Sequence, residues 1–554
     1  MVSRERECDV LVVGGGLAGM LVALESVRAG ARTMMVLKGG PGRGSATNTA
    51  ISGGGIAAAL GHTDPTDSPE EHLRDMLAGG GFLNDQRLAR LVVEEAPSRI
   101  RYLAELGVEF EREGERYLQR QAPGHSHPRS VMTPGAHMGQ LVRTLAERAK
   151  EAGVTVRRGL AVAEVLVADG RAVGAACLAE DGSRVDFSAG AVVLATGGAG
   201  RLYPVTSNPP AATGDGYALG YWAGARLRDM EFAQCTPAGL VHPGRLHGYS
   251  VNRELLAYPQ ARILDGKGEA LADLGPALVR DLAFRLDLIR LFHRTIQAGR
   301  GTPHGGVYLD LRDVPAAEAE RLAPGLYNVL RTAGVDPERD LLETAPEVHF
   351  FMGGLEVDQY GQTTVPGLYA AGETVGGCHG ANRLTHNAFP EIIVLSPRAG
   401  KAAGEYALAL GERAHPEPEP LPYEWRWPAA PDLLARLQAT MLKAAGPVRT
   451  AQGLAAGLDA LRQLREELAQ RPLVGREGLR DGLALRNLCQ VAEMVLLSAQ
   501  RREESRGSHY REDFPARDDR RWLVNLLVEK GPAGPRLWER AVDLADMRPE
   551  DSRH

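Results

Sequence analysis

Five cysteines among 554 residues, at positions 8, 177, 235, 378 and 489, include no C-x-x-C pair. Neither a zinc site nor an iron–sulfur cluster is therefore expected to be ligated within the chain, and the odd, scattered set excludes a disulfide framework. No stretch approaches the ~20 apolar residues that span a bilayer. Residues 1–8 are charged and run straight into the strand DVLVV at 9–13. That leaves no room for the apolar core of a signal peptide, and a cytoplasmic location is expected. An excess of positive charge is missing too: the net charge is -6, which gives no electrostatic reason to expect nucleic acid. Lysine is scarce beside abundant Arg, Ala, Gly and Leu, a bias that a GC-rich genome or a warm habitat produces equally well. At this length, usual domain sizes give about three domains.

Glycine and apolar periodicity carry the organisation. Residues 9–38 read strand, glycine turn, helix, strand, which is one βαβ unit. A glycine-rich stretch follows at 39–61, then helices to about residue 110. Turn signals and alternation between 154 and 194 predict a hairpin-like β segment returning to a final buried strand. The mixed region 236–345 reads as an inserted domain, after which the character of the first half resumes. Repeated prolines in HPEPEPLPYEWRWPAAP favour extended chain. The expected map is 1–235 with 346–410 as one domain, 236–345 as a cap, 411–431 as a linker, 432–520 as a helical domain and 521–554 as a polar, Arg-rich tail.

Gly14, Gly16 and Gly19 have G-x-G-x-x-G spacing between a strand and a helix. The first permits a tight turn, the second lets backbone approach a pyrophosphate, the third lets helix and strand pack, and the helix N-terminus faces the phosphate charge. An NAD site usually ends its second strand in an acid that holds the ribose; here Leu37-Lys38 stands in that place. A second glycine-ended strand, Ala195-Thr196-Gly197-Gly198, and a third, GLYAAGE ending at Gly372-Glu373, converge with the first on one long dinucleotide, for which FAD is the expected molecule.

The ordered run GGGLAG, SGGGIAAAL, ATGGAG, TSNPPAATGDGYALGYWAGA, RDMEF, GGVYLDL, HFFMGG, VPGLYAAGE, HGANRL and ESRGSHYREDFP resembles the flavoprotein family of succinate dehydrogenase, fumarate reductase and L-aspartate oxidase over nearly the whole chain. The resemblance implies an α/β fold: a Rossmann-type FAD-binding domain interrupted by an α+β capping domain and followed by a C-terminal helical domain. It implies that the cap closes over a small carboxylate that exchanges hydride with the flavin. By motif, FAD would be held by Gly14, Gly16, Leu17, Ala18, Gly19, Lys38, Gly39, Ser45, Asn48, Thr49, Gly53 and Gly54, then by Val162, Ala195, Thr196, Gly197, Asn208 and Asp215. Gly372, Glu373, Arg383 and Ala388 complete that set. His349 and Arg383 would grip a substrate carboxylate, Arg offering a bidentate fork. The family's proton-carrying arginine falls on Arg285, fourteen residues ahead of Gly299, with Arg290 matching a second arginine; a shifted alignment selects Arg280 instead.

Three departures from the pattern bear on function. Asn48 stands where the succinate and fumarate enzymes have a histidine joined to the flavin, and an amide has no nucleophilic ring nitrogen, so the FAD is expected to be non-covalent. The family's Phe-His-Pro is Cys235-Thr236-Pro237, and its Thr-Glu pair is Arg253-Glu254. The part of the pocket that reads a second acid group is thus rebuilt, and Arg253 either supplies a replacement cation or points to solvent. His125 and His127 lack a third ligand, so structural hydrogen bonding is expected there and no metal. The expected activity is FAD-dependent hydride transfer to or from a small carboxylate, with L-aspartate oxidase proper as one alternative. A second is an electron-transfer subunit with a separate iron–sulfur partner, and a third is a flavoprotein that only binds ligands.

Overall fold

The computed structural model describes residues 7–39, 47–53, 55–136, 138–272, 282–323, 325–410, 430–471 and 478–552. Strand β1 (Glu7–Val13) is buried from Cys8 onward, as an apolar run needs to be when a parallel sheet is covered on both faces. It lies between β2 (Thr33–Leu37) and the final strand of the 154–194 region. With β3 (Thr155–Arg158), β4 (Ala161–Ala168), β5 (Arg171–Leu178) and β6 (Arg184–Leu194), the sheet order is β3-β2-β1-β6-β5-β4. β1 pairs in parallel with β2 and β6, and β4, β5 and β6 form the expected antiparallel meander. Asp169 and Gly170 both take positive φ between β4 and β5, the geometry that a two-residue hairpin turn requires. The strand Leu368–Ala370 adds in parallel to the end of β6, so the three glycine-ended strands finish side by side.

Helix α1 (Leu17–Arg28) leaves the glycine turn directly. A Cβ on Gly14 would lie 2.2 Å from the Ala195 carbonyl oxygen, and one on Gly19 would lie 2.1 Å from that of Gly14. The fingerprint glycines therefore weld α1, β1 and β6 at van der Waals limits. α1 packs along α2 (Ala388–Ala409), and Gly400 allows that approach.

The cap is entered by β7 (Ala233–Leu240) and left by β8 (Leu342–Phe351), which pair with each other. The expected boundaries at 235/236 and 345/346 thus fall within two continuous strands. Beyond β8 lie the strands Val307–Asp310, Arg262–Leu264 and Ala270–Ala272 in that order. Leu240, Leu255, Ile263, Phe292, Leu309 and Tyr327 give the cap its own core.

The linker expected at 411–431 falls, as far as residue 429, outside the described residues, and Pro431 already opens helix α3 (Pro431–Ala445). With α4 (Ala451–Gln470) and α5 (Leu479–Arg501) it forms the C-terminal bundle, whose Leu437, Leu461 and Val495 belong to the same core as Leu11 and Val192 of the first domain. The segment expected to be a polar tail is instead folded. β9 (Val524–Gly531) and β10 (Gly534–Ala541) make a hairpin that pairs through β9 with Leu227–Arg228, and Leu526, Leu527 and Val528 are fully buried. The short NLLV run drives this burial, and it is masked in the sequence by flanking charge. Among the described residues no helix is long and apolar enough to cross a membrane.

Candidate functional site

The glycine cradle has room for a ligand. Gly16 caps α1 without any side-chain cap, and its Cβ would meet nothing closer than 3.8 Å. Gly197 takes φ +77 with nothing within 4 Å of its Cβ position, so both residues leave open space where a dinucleotide backbone would pass. Leu17 N donates to Thr49 Oγ1 at 3.3 Å, Gly216 N to Thr196 Oγ1 at 2.9 Å and Gly197 N to Thr374 Oγ1 at 3.1 Å. Leu17, Ala18, Ala195 and Val162 are buried beside them and Gly372 approaches Ala18, while Gly53 is exposed and Gly39 half-buried. Ser45 and Gly54 lie outside the described residues. The residues present fit FAD.

At the end of β2, Lys38 Nζ donates to Thr213 Oγ1 at 2.7 Å and Asp215 Oδ2 at 3.2 Å. Asn487 Nδ2, from α5, reaches Asp215 Oδ1 at 2.7 Å. Burial opposes ionisation of Asp215, but Lys38, Asn487 and Thr213 outweigh it and hold the carboxyl below its ordinary range. The C-terminal bundle thus supplies a residue to this site that no local sequence signal marks.

A line of hydrogen bonds runs from the cradle to His349. Asn48 Nδ2 donates to Asn208 Oδ1 at 3.2 Å and Glu373 Oε2 at 3.3 Å, and Asn208 Nδ2 donates to the His349 carbonyl at 2.9 Å. Ser207 Oγ lies 2.7 Å from His349 Nδ1. Phe351 N donates to Glu373 Oε1 at 3.1 Å. Burial raises the Glu373 carboxyl to about 7, against stabilisation by the Phe351 amide, Arg383 and Asn48. Arg383 is buried, with one guanidinium nitrogen 3.0 Å from Gln234 Oε1, another 3.1 Å from the Leu384 carbonyl, and its plane over Phe350 at 4.6 Å. Gln234 in turn bonds Asn382 Oδ1 and the Arg383 carbonyl. Ala388 opens α2 just beyond this loop.

Of the cap residues, Arg285 is 3% exposed on the helix Leu282–Thr295, which packs against β7 and β8. Arg290 is engaged elsewhere: it pairs with Asp287 at 2.7 Å, lies over Tyr510 at 4.2 Å and lines a cavity of about 20 Å³ with Cys235 and Ser508. Arg253 and Glu254 begin the short helix Arg253–Leu256, where Glu254 is half-buried and the Arg253 side chain lies outside the described set, as does Arg280. His125 Nε2 bonds the Thr385 carbonyl at 2.7 Å and His127 Nδ1 bonds Asp64 at 2.8 Å, as hydrogen-bonded structural histidines would. Cys378, His379 and Glu391 gather within 4.8 Å. His379 Nε2 is already bonded to Glu391 at 2.8 Å, and burial holds the thiol well above its ordinary value, which disfavours a thiolate ligand.

Sequence reasoning missed Ser207, Gln234, Thr374 and Asn487. Ser207 sits inside the motif TSNPP, and Gln234 immediately precedes the altered Cys-Thr-Pro, so their places were marked though their partners were not.

Residues 9–388 match the family model described as FAD binding domain, and residues 434–554 match that described as Fumarate reductase flavoprotein C-term. The chain is 36% identical over 547 residues to a Fumarate reductase (CoM/CoB) subunit of Methanothermobacter marburgensis, covering 96% of this chain and 98% of that protein. It is also 36% identical over 549 residues to an L-aspartate oxidase of Streptomyces coelicolor, covering 95% and 92%. Among solved structures, Sdh1 of Mycobacterium smegmatis superposes with a TM-score of 0.85 at 33% identity, over 98% of this chain and 96% of that one.

Proposed function

Because the chain belongs to the flavoprotein family of succinate dehydrogenase and fumarate reductase, we infer that it is an FAD-dependent oxidoreductase acting on a small carboxylate gripped by His349 and Arg383. The observation that carries this reading is the hydrogen-bonded line from Asn48 through Asn208 to His349, which ties the dinucleotide cradle to the carboxylate clamp. FAD, when bound, accepts or supplies the hydride. The chain's own work is to orient and exclude water: Arg383 offers two parallel donors to a carboxylate, His349 a third, and the buried setting strengthens both. Arg285, withdrawn from solvent on the cap helix, carries the proton to or from the substrate carbon in this reading. Asn48 offers only an amide, so FAD is held without a covalent link.

The test is direct. Acid precipitation should release yellow flavin from the purified protein, and anaerobic mixing with a panel of dicarboxylates and amino acids should bleach the flavin, or reoxidise it after reduction. Arg383→Ala should retain flavin and lose the response by about a hundredfold or more, the loss of a charge-assisted fork. Full activity in that variant would remove the clamp.

The match to an L-aspartate oxidase favours one second reading, in which L-aspartate alone gives the response. The relative named as a subunit favours another, in which electrons pass to a separate iron–sulfur protein; co-purification from the source cell tests it. All five cysteines are unpaired thiols, which supports placement in the reducing cytoplasm.

A further inference from the structure

Away from the clamp, the cap and the C-terminal bundle meet along a crevice of about 350 Å³, a volume usual for small-molecule sites. Its cap wall is the end of the helix Leu282–Thr295 together with the wide π-turn that follows over Ile296–Arg300, a helix irregularity frequent at functional sites. The facing wall is the last turn of α3 and the residues that lead into α4, and Glu512 of the C-terminal segment closes one side.

His293 lines this crevice although it is only 7% exposed. Among the described residues its ring has no hydrogen-bond partner. Burial and the neighbouring Arg294 guanidinium hold the imidazole down at about 4, so at pH 7 it is neutral and carries one N–H that no protein group receives. The other walls offer donors too. Lys443 is exposed on the last turn of α3 and has no ion pair among the described residues. Arg294 commits one nitrogen, Nη2, to Glu512 at 3.0 Å and Tyr510 at 3.4 Å, which leaves Nε and Nη1 to donate. Thr450 Oγ1 accepts from Gly453 N at 3.0 Å and keeps its own proton, and Gln297 adds an amide. Among the described residues the only acid on the walls is Glu512, which Arg294 already holds. Its neighbour Asp513 pairs with Arg511 at 2.7 Å. The crevice therefore has a surplus of positive charge and of donors, and what it lacks is an acceptor.

We propose that this crevice binds a small polyvalent oxyanion, a polycarboxylate or a polyphosphate, gripped by His293 and Arg294 from the cap and by Lys443 and Thr450 from the bundle. The donors stand on two facing walls, so an ion with charge at both ends meets them better than a single small anion does. Charge-assisted bonds to both walls tie the cap to the bundle, and an ion that binds only the folded chain stabilises it by mass action. None of the lining residues belongs to the dinucleotide cradle or to the carboxylate clamp, so the site needs no assumption about the substrate.

Calorimetric titration of the FAD-loaded protein with pyrophosphate and with citrate, against sodium chloride of equal ionic strength, tests the site. One ion per chain should bind and raise the melting temperature. Binding of both supports a general oxyanion site, pyrophosphate alone assigns it to polyphosphates, and citrate alone to polycarboxylates. Lys443→Ala on the bundle wall and His293→Gln on the cap wall should each weaken binding about tenfold. Arg339→Ala, which removes a cap cation that is 85% exposed and outside the crevice, should leave binding unchanged. So should Arg383→Ala, which disables the clamp. Flavin content and the melting temperature without added ion verify that each variant is folded, and the exposed Lys443 can be replaced without disturbing a core. No binding of either ion beyond the chloride control, or binding that Lys443→Ala leaves intact, overturns the proposal. Binding lost in Arg383→Ala places the ion in the clamp and overturns it as well.

Discussion

Lys38 shows what a single residue does at the end of β2. Where an acid would repel a second acid, the lysine meets Asp215 and Thr213 and keeps the Asp215 carboxyl below its ordinary range against the cost of burial. A depressed folded pKa gives stability that is complete above the ordinary carboxylate range and is lost as pH falls through the folded value. Lys38→Ala should raise that carboxyl, cost about 1–3 kcal/mol at pH 7 and leave a difference from wild type that shrinks toward pH 3, measured by denaturant midpoint. Glu373 has the opposite sign. Its folded value of about 7 lies above the ordinary 4.5, so its contribution is complete below 4.5 and is lost as pH rises to 7, a change of the order of 3 kcal/mol. Flavin-free Glu373→Gln should show a flatter stability profile between those limits than the wild type; parallel profiles would show that Glu373 titrates normally.

At the scale of elements, what was legible in the sequence was local. The βαβ unit, the Asp169-Gly170 hairpin and the glycine-ended strands each declare themselves within one continuous stretch of chain, because period and turn chemistry act at short range. What was not legible was pairing at a distance: Ser207 and His349 are 142 residues apart, and no local pattern announces their contact. The surroundings of Arg290 were hidden for the same reason, since Tyr510, over whose ring it lies, belongs to the C-terminal segment. The strand–turn–helix junction yields a sharp test. Gly19→Val would set a Cβ 2.1 Å from the Gly14 carbonyl, and neither backbone can retreat without moving α1 from β1. Loss of more than about 3 kcal/mol and of bound flavin is expected, read from melting temperature and flavin-to-protein absorbance. A stable, yellow Gly19→Val protein would show that the junction is not close-packed.

Across the whole molecule, the C-terminal segment clasps the root of the cap. Arg502 is fully buried, with Nε 2.6 Å from Glu231, Nη1 3.0 Å from Glu504, and its plane over Phe232 and Trp522. Arg506 continues the network to Glu504 and Asp519, and Arg449 reaches the Glu231 carbonyl and His509. Glu231 and Phe232 lead directly into β7, which carries Gln234 to Arg383 and Thr236 to Glu347. These buried arginines are therefore the means by which this segment fixes the root of the cap. Arg502→Met should leave Glu231 buried without its cation, at a cost of about 3–5 kcal/mol. Burial already raises the Glu231 carboxyl, and the Arg502 guanidinium is the main influence opposing that rise, so the variant should weaken further as pH rises. The double variant Arg502→Met with Glu231→Met removes the stranded charge and should recover most of the loss. Chemical midpoints of the two variants decide the point: equal losses would mean that the guanidinium acts by packing against Phe232 and Trp522, and recovery in the double variant would mean that charge holds the clasp.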